Sequence, residues 1–114
     1  MSDFRVKAEW QDDICIVRLD GEARLENAGA FDAMAQEIAD RGVSRVAVDM
    51  NGLAFMDSAS AGMLLRLKSQ LDKREGRLVL FDLRRMVARL MDRTGLDEQF
   101  NCAQTRDEAL ARLS

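Results

Sequence analysis

One carboxylate and two hydroxyls lie together in the segment Asp57-Ser58-Ala59-Ser60, directly after a short apolar run that ends at Met56. Beyond this segment the apolar residues recur at helical spacing, which predicts that a helix begins there. The first turn of a helix leaves backbone N–H groups without partners and carries the positive end of the helix dipole. A serine hydroxyl at this place can therefore cap the helix, or it can carry a phosphate at little electrostatic cost.

The residue types that are missing limit the chemistry further. The sequence has no histidine and no tyrosine, so it lacks the usual imidazole base, the commonest metal ligand and a phenolic acid. Cys15 and Cys102 lie in apolar strand-like runs, so we expect small buried side chains rather than reactive thiols or a zinc site. A glycine-rich phosphate loop with its lysine is also absent. We therefore expect no enzyme activity, no metal and no cofactor.

Length and charge indicate an ordinary globular protein. A chain of 114 residues that is 47% hydrophobic and 32% charged can form one domain, residues 1–114, around a single core. The net charge of -3 gives no reason to expect nucleic acid as a partner. No apolar run is long enough to cross a membrane, and the first residues lack the pattern of a signal peptide. We expect a cytoplasmic protein with no membrane insertion.

Hydrophobic periodicity predicts an N-terminal hairpin followed by alternating strands and helices. Residues 4–10 alternate in polarity and 14–19 are more continuously apolar, as in two paired strands. The first helix is predicted from about Leu25 to Arg41, and a third strand begins at Val46 and is broken at Asn51-Gly52. Two further strands follow, near 77–81 and 101–103, with helices before and between them and a last helix capped by Thr105. This order predicts an α/β fold with a mostly parallel sheet.

Three arginines share one stripe of the third predicted helix: Arg85, Arg89 and Arg93. Most such rows are solvated, and nearby aspartates lie close enough in sequence to balance the charge: Asp82, Asp92 and Asp97. We interpret the stripe as a solvated face, with a contact surface for an acidic partner or lipid headgroups as the alternative. Most methionines, Met86 included, are expected to fill the core, whereas Met56 and Met63 could be exposed beside Ser58.

An ordered set of short motifs extends along nearly the whole chain and resembles the STAS domain, named for sulphate transporters and anti-sigma factor antagonists. The closest resemblance is to the small stand-alone antagonists of bacterial partner switches. It implies a STAS-type single-layer mixed sheet of about five strands covered by about four helices. The matching pieces are Leu19-Asp20-Gly21-Glu22, Asn27-Ala28, Asp49, Asn51-Gly52-Leu53, Phe55-Met56-Asp57-Ser58, Gly62, Leu64-Leu65, Arg77-Leu78-Val79-Leu80, and segments 90–100 and 105–110.

The resemblance also implies a mechanism. The unphosphorylated antagonist docks onto a serine kinase that sequesters a sigma factor or another target, and docking frees that target. The kinase then phosphorylates the first hydroxyl residue after the aspartate, here Ser58, and the complex separates until a phosphatase resets it. The implied partners are thus an anti-sigma factor serine kinase and a phosphatase. The implied docking residues are Gly21, Glu22, Arg24, Asn27, Met56, Asp57, Ser58, Ala59, Ser60 and Met63.

Three positions depart from the usual family pattern. Ser60 replaces a glycine, which makes close approach of a partner backbone less easy and offers a second hydroxyl. Ala61 replaces a larger apolar residue. Arg24 stands where the family commonly has an aspartate, which changes the charge of the docking face by two units.

Alternatives therefore stay open. Ser58 or Asp57 could simply cap the helix, although the family pattern favours Ser58 as the phosphoacceptor. Ser60 is interpreted as a first-turn helical residue rather than the modified one. The alternative function is a STAS subunit of a phospholipid-transport ABC complex, which binds its ATPase and need not be phosphorylated.

Overall fold

A computed structural model describes residues 3–114, in which five strands and four α-helices follow one another as the periodicity predicts. Two short 3-10 turns, Leu25–Asn27 and Leu96–Glu98, lie between these elements. The strands are β1 Arg5–Gln11, β2 Ile14–Ala23, β3 Arg45–Met56, β4 Arg77–Phe81 and β5 Asn101–Ala103. The helices are α1 Ala28–Asp40, α2 Ser58–Asp72, α3 Arg85–Thr94 and α4 Arg106–Leu113.

The strands form one mixed sheet in the order β1-β2-β3-β4-β5, which is also their order along the chain. The hairpin pair β1–β2 is antiparallel, and the three other pairs are parallel. Residues that alternate along the central strands contribute to two different hydrophobic clusters, because successive side chains of a strand point to opposite faces. Helices α1, α2 and α3 contribute to one cluster and α4 to the other, so helices cover both faces. The expected single-layer mixed sheet is confirmed.

Strand β3 is continuous through Asn51-Gly52, so the predicted break there is wrong. Gly52 pairs with Asp20 of β2, where the register of the two strands shifts. A Cβ atom at Gly52 would lie 1.9 Å from Oδ1 of Asp20. The glycine thus permits close approach of two strands inside the sheet, a role that glycine has in strands as well as in turns. The longer β3 carries the chain directly to Asp57.

The first predicted helix begins later than expected. Residues Leu25–Asn27 form a 3-10 turn, and α1 starts at Ala28. The side-chain oxygen of Asn27 accepts a hydrogen bond from the Arg24 backbone N–H (2.8 Å), while the Asn27 N–H donates to the Arg24 carbonyl (2.9 Å). These two bonds tighten the chain into a turn that exposes Leu25, a residue that helical spacing alone would place on the buried face.

The apolar face predicted for α2 is confirmed. Its residues Ala61, Leu64, Leu67 and Leu71 are all buried against the sheet cluster. No helix within residues 3–114 combines the length and the apolar character needed to span a membrane.

The two cysteines differ in burial. Cys15 is fully buried, and desolvation raises the pKa of its thiol to about 11. Cys102 is partly buried, and desolvation raises its thiol pKa as well. Among the described residues, no group of three or more cysteine, aspartate or glutamate side chains is placed to hold a metal ion.

Candidate functional site

The predicted docking segments meet where β2 and β3 end. Ala23 and Met56, the last residues of these parallel strands, are partners in the ladder. One residue further, the Asp57 backbone N–H donates a hydrogen bond to the Ala23 carbonyl (3.1 Å). The turn that follows β2 and the start of α2 therefore lie side by side, at the carboxyl edge of the sheet, where parallel α/β sheets commonly place their sites.

Asp57 is the N-cap of α2. One carboxylate oxygen accepts the Ser60 backbone N–H (2.9 Å), and the other accepts the Leu25 backbone N–H (3.0 Å). The first bond satisfies an N–H group of the first helical turn, which has no partner inside the helix. The second bond joins α2 to the turn after β2. A single side chain thus holds both predicted docking segments together.

Ser60 completes this junction from the inside. Its side chain is fully buried, and its hydroxyl lies 2.7 Å from the Asp57 carboxylate and 2.9 Å from the Ala23 carbonyl. The expectation that Ser60 offers a second available hydroxyl is therefore wrong. Its interpretation as a first-turn residue of α2 is confirmed. A glycine at this position has no side chain that could make these contacts, so the exchange of glycine for serine adds them.

Ser58 has the opposite environment. It is the first residue of α2 and is exposed, and its hydroxyl makes no hydrogen bond to any residue within 3–114. Because Asp57 occupies the N-cap, the alternative that Ser58 caps the helix is wrong. Ala59 and Met63 are partly buried at the same edge.

The carboxyl group of Asp57 is held in its charged form. Partial burial raises its pKa, but the hydrogen bonds from Ser60 and Leu25 and the charge of Arg24 together lower the pKa below its ordinary value. The exposed Ser58 hydroxyl therefore lies next to a fixed negative charge as well as the positive end of the helix dipole.

Arg24 extends along the sheet edge beside this charge. Its guanidinium group pairs with Glu22 (3.1 Å) and lies 4.3 Å from the centroid of the Phe55 ring. Both partners of the ion pair keep nearly half of their side-chain surface, 41% for Arg24 and 46% for Glu22. The Arg24 side chain therefore stays accessible at the surface. Because Glu22 neutralises part of its charge, the net charge of this face differs from the family pattern by less than the expected two units.

Other predicted docking residues have a structural role at the site. Gly21 has a φ of +96°, and a Cβ atom there would lie 1.6 Å from the Asp3 carbonyl oxygen. Asn27 closes the turn through the two bonds to Arg24 described above. Met56 is only 2% exposed, so the expectation of an exposed Met56 is wrong.

Two exposed apolar residues were missed by the sequence analysis. Leu25 is 65% exposed, and Met86, which was expected in the core, is 64% exposed. The spacing of Leu25, Ala28 and Phe31 fits a helix, so it predicts a helix where the turn is found. The one local signal for the turn is Asn27, a residue type that favours turns. Nothing in the local sequence distinguishes Met86 from a core methionine.

Solved structures share this fold. An anti-sigma factor antagonist from Mycobacterium paratuberculosis superposes with a TM-score of 0.85 at 22% identity, covering 97% of this chain and 94% of that one. The unphosphorylated anti-sigma factor antagonist SpoIIAA gives a TM-score of 0.78 at 23% identity, covering 96% and 95%. The phosphorylated form of SpoIIAA from Bacillus gives 0.71 at 22% identity, covering 98% and 100%.

Sequence comparison identifies the family. A protein of Bordetella bronchiseptica named as an anti-sigma factor antagonist, BtrV, is 30% identical over 100 residues, which span 88% of this chain and 86% of that protein. The family model of the STAS domain matches residues 5–109. The resemblance seen in the motifs is thus confirmed. The chain belongs to the STAS domain family.

Proposed function

We propose that this protein is an anti-sigma factor antagonist whose binding to a partner serine kinase is switched off by phosphorylation of Ser58. Its relatives of the same size and fold are proteins of that class. The observation that carries the proposal is the contrast between two hydroxyls in one helical turn. Ser58 is exposed and without a hydrogen-bond partner in the described chain, whereas Ser60 is buried and bonded. Of these two hydroxyls, the one of Ser58 is accessible to a kinase.

The free protein can accept a phosphate at Ser58 without rearrangement. A phosphoserine carries roughly -1.5 to -2 charges at neutral pH. The N-terminus of α2 favours such an anion by about 0.3–2 kcal/mol. This attraction offsets the repulsion from Asp57 as long as both groups face water, which screens like charges.

The same phosphate is unfavourable in a docked complex. A partner that covers Ser58 removes water from the phosphate and from Asp57, and leaves two like charges together. A buried charge without a partner costs on the order of 3–5 kcal/mol. Since about 1.4 kcal/mol is a tenfold change in affinity, the phosphorylated form would bind hundreds to thousands of times more weakly. The switch therefore needs only one added charge.

The proposed docking surface consists of the side chains that remain accessible around Ser58. Arg24, Glu22 and Leu25 supply it on the turn after β2, and Ser58, Ala59 and Met63 supply it on α2. Gly21, Asn27, Asp57 and Ser60 hold that surface in shape. The proposed partners are a serine kinase and a phosphatase of the cytoplasm, and we propose the same compartment for this protein. No observation favours the transport-subunit alternative, and the relatives reported above do not support it.

The test is phosphorylation by candidate histidine-kinase-like serine kinases with ATP. Intact-mass measurement and peptide mapping are expected to place one phosphate on Ser58 in the wild type and in Ser60→Ala, and none in Ser58→Ala. Ser58→Glu is expected to weaken kinase binding at least about a hundredfold relative to Ser58→Ala. Phosphate on another residue, or equal affinity of the two Ser58 variants, would contradict the proposal. Stable co-purification with an ATPase and no modification would favour the transport subunit.

A further inference from the structure

A groove of about 460 Å³ lies between the end of β3 and helix α3. Its apolar part is formed by Phe55 and Met56 on the strand and by Met86 and Leu90 on the helix. Met86 is 64% exposed although it has a large apolar side chain. Concave apolar surfaces of this kind on a soluble domain commonly bind a ligand or a partner.

The rim of this groove is positively charged. Three arginines are among the residues that line it, Arg85, Arg89 and Arg93, and no acidic residue is. Throughout the part of the chain that the structure describes, no ion pair joins these three arginines to an acidic side chain. This local charge stands on a protein with a net charge of -3. The groove is therefore a positive patch on an acidic molecule.

The aspartates that were expected to balance these arginines make no ion pair with them within residues 3–114. Asp82, Asp92 and Asp97 line a separate groove, together with Ala88 and Met91 of α3. Asp92 follows Arg89 by three residues and lies about 60° from it around the helix axis, so the two are neighbours on the helix surface although no ion pair joins them. The three arginines are exposed, as expected of a solvated face, but within residues 3–114 none of them forms an ion pair with these aspartates, so the expected local charge balance is not seen.

We propose that this groove binds an acidic amphipathic segment of a partner protein. Successive arginines of the row are four residues apart, a rise of about 6 Å, and the row spans about 12 Å along α3. Carboxylates four residues apart on a partner helix have the same spacing, and an apolar residue between them can fill the groove beside Met86 and Leu90. Charge and shape thus specify the chemistry of the segment.

A protein segment fits this surface better than a membrane does. The patch is concave, whereas a bilayer surface is nearly flat, and the net negative charge of the whole domain opposes binding to anionic lipids. The groove also adjoins the proposed docking surface. Met56 directly precedes Asp57, and the Arg24 guanidinium group lies over the Phe55 ring. We assign the segment to the same kinase partner, and this assignment rests on the proposed function, whereas the charge and the apolar lining of the groove do not depend on it.

The experiment uses the full chain and a defined probe. The probe is a 14-residue helical peptide with leucines on one face and glutamates at four-residue spacing beside them; the matched peptide has glutamine in place of every glutamate. Backbone amide shifts in ¹⁵N spectra are expected to change around Met86 and Leu90 with the glutamate peptide. Affinity is expected to fall at least about tenfold for Arg89→Glu, because like charges then face each other. Arg66→Glu, an equal charge change on the exposed side of α2, is expected to alter affinity less than about twofold.

The outcomes separate this inference from the proposed function. Ser58→Ala is expected to bind the peptide as the wild type does, so a failure of Ser58 phosphorylation leaves this result unaffected. Equal binding of the glutamate and glutamine peptides, or no amide shift at millimolar peptide, would overturn the inference. So would binding of phosphatidylglycerol vesicles through the same arginines when neither peptide binds.

Discussion

The carboxylate of Asp57 accepts a hydrogen bond from the backbone N–H of Leu25 at 3.0 Å, although the two residues are 32 positions apart in the chain. The other carboxylate oxygen caps α2 through Ser60. The turn after β2 and the first turn of α2 are therefore one structural unit. The position of the turn beside Ser58 therefore depends on Asp57.

Replacement of Asp57 by alanine is expected to lower the free energy of unfolding by about 1–2 kcal/mol, because it removes the helix cap and leaves the Leu25 N–H without its partner. Urea denaturation measures this. Asp32→Ala, at an exposed position of α1, serves as the matched control and is expected to change stability by less than about 0.5 kcal/mol. Equal effects of the two substitutions would contradict the capping role.

Asp57 also makes stability depend on pH. Its folded-state pKa lies below the ordinary value, so its contribution is present above about pH 4, where the unfolded chain ionises, and is lost as the pH falls through the folded-state pKa. Asp57→Asn is expected to flatten the acid side of the stability profile. Urea midpoints measured between neutral pH and the acid range test this, and an unchanged acid slope in the variant would contradict it.

The buried hydroxyl of Ser60 is expected to contribute about 1 kcal/mol to stability, the usual net value of an internal hydrogen bond. Ser60→Ala removes a hydroxyl whose single proton can be donated either to the Asp57 carboxylate or to the Ala23 carbonyl, both within hydrogen-bonding distance. Ser69→Ala, at an exposed position of the same helix, should change stability by less than about 0.5 kcal/mol. Thermal unfolding of both variants provides the comparison; a Ser60 variant as stable as wild type would show that these bonds add nothing.

Gly62 lies inside α2, is exposed, and has open space where a Cβ atom would be. Gly62→Ala is therefore expected to raise the free energy of unfolding by about 1 kcal/mol and the melting temperature by about 4 °C. Calorimetry of the isolated protein measures both quantities. No gain in stability would mean that the low helix propensity of Gly62 does not reduce the stability of the protein.

Gly21 is expected to behave in the opposite way. Gly21→Ala forces a side chain into the left-handed region and against the Asp3 carbonyl oxygen, and should cost more than about 2 kcal/mol. Gly42 also has a positive φ, +69°, but a Cβ atom there meets nothing within 4 Å. Gly42→Ala thus isolates the conformational cost, and equal destabilisation by both variants would rule out the steric contribution at Gly21.

Features that depend on local pattern were predictable from the sequence. The apolar face of α2, with Leu64 and Leu67, follows from helical spacing, and the hairpin follows from two alternating runs around a turn. Contacts between distant segments were not predictable. Whether Ser60 is exposed depends on the Ala23 carbonyl, which lies 37 positions earlier.

Local rules also failed where a neighbouring strand decides the structure. Asn51-Gly52 favours a turn, but pairing with Asp20 keeps it in β3. The arginine row of α3 is exposed, as predicted, but the pairing of its charges was not predictable. Sequence distance and helix geometry both place Asp92 beside Arg89, yet no ion pair between the two is found within residues 3–114.

The order of the strands has a consequence for synthesis on the ribosome. Because neighbours in the sheet are also neighbours in the chain, each emerging strand can pair with one that has already left the exit tunnel. The segments that hold Ser58 at the surface belong to β2, β3 and the first turn of α2, which emerge before β4 and β5. A nascent chain can therefore assemble the edge that exposes Ser58 while its C-terminal strands are still being translated.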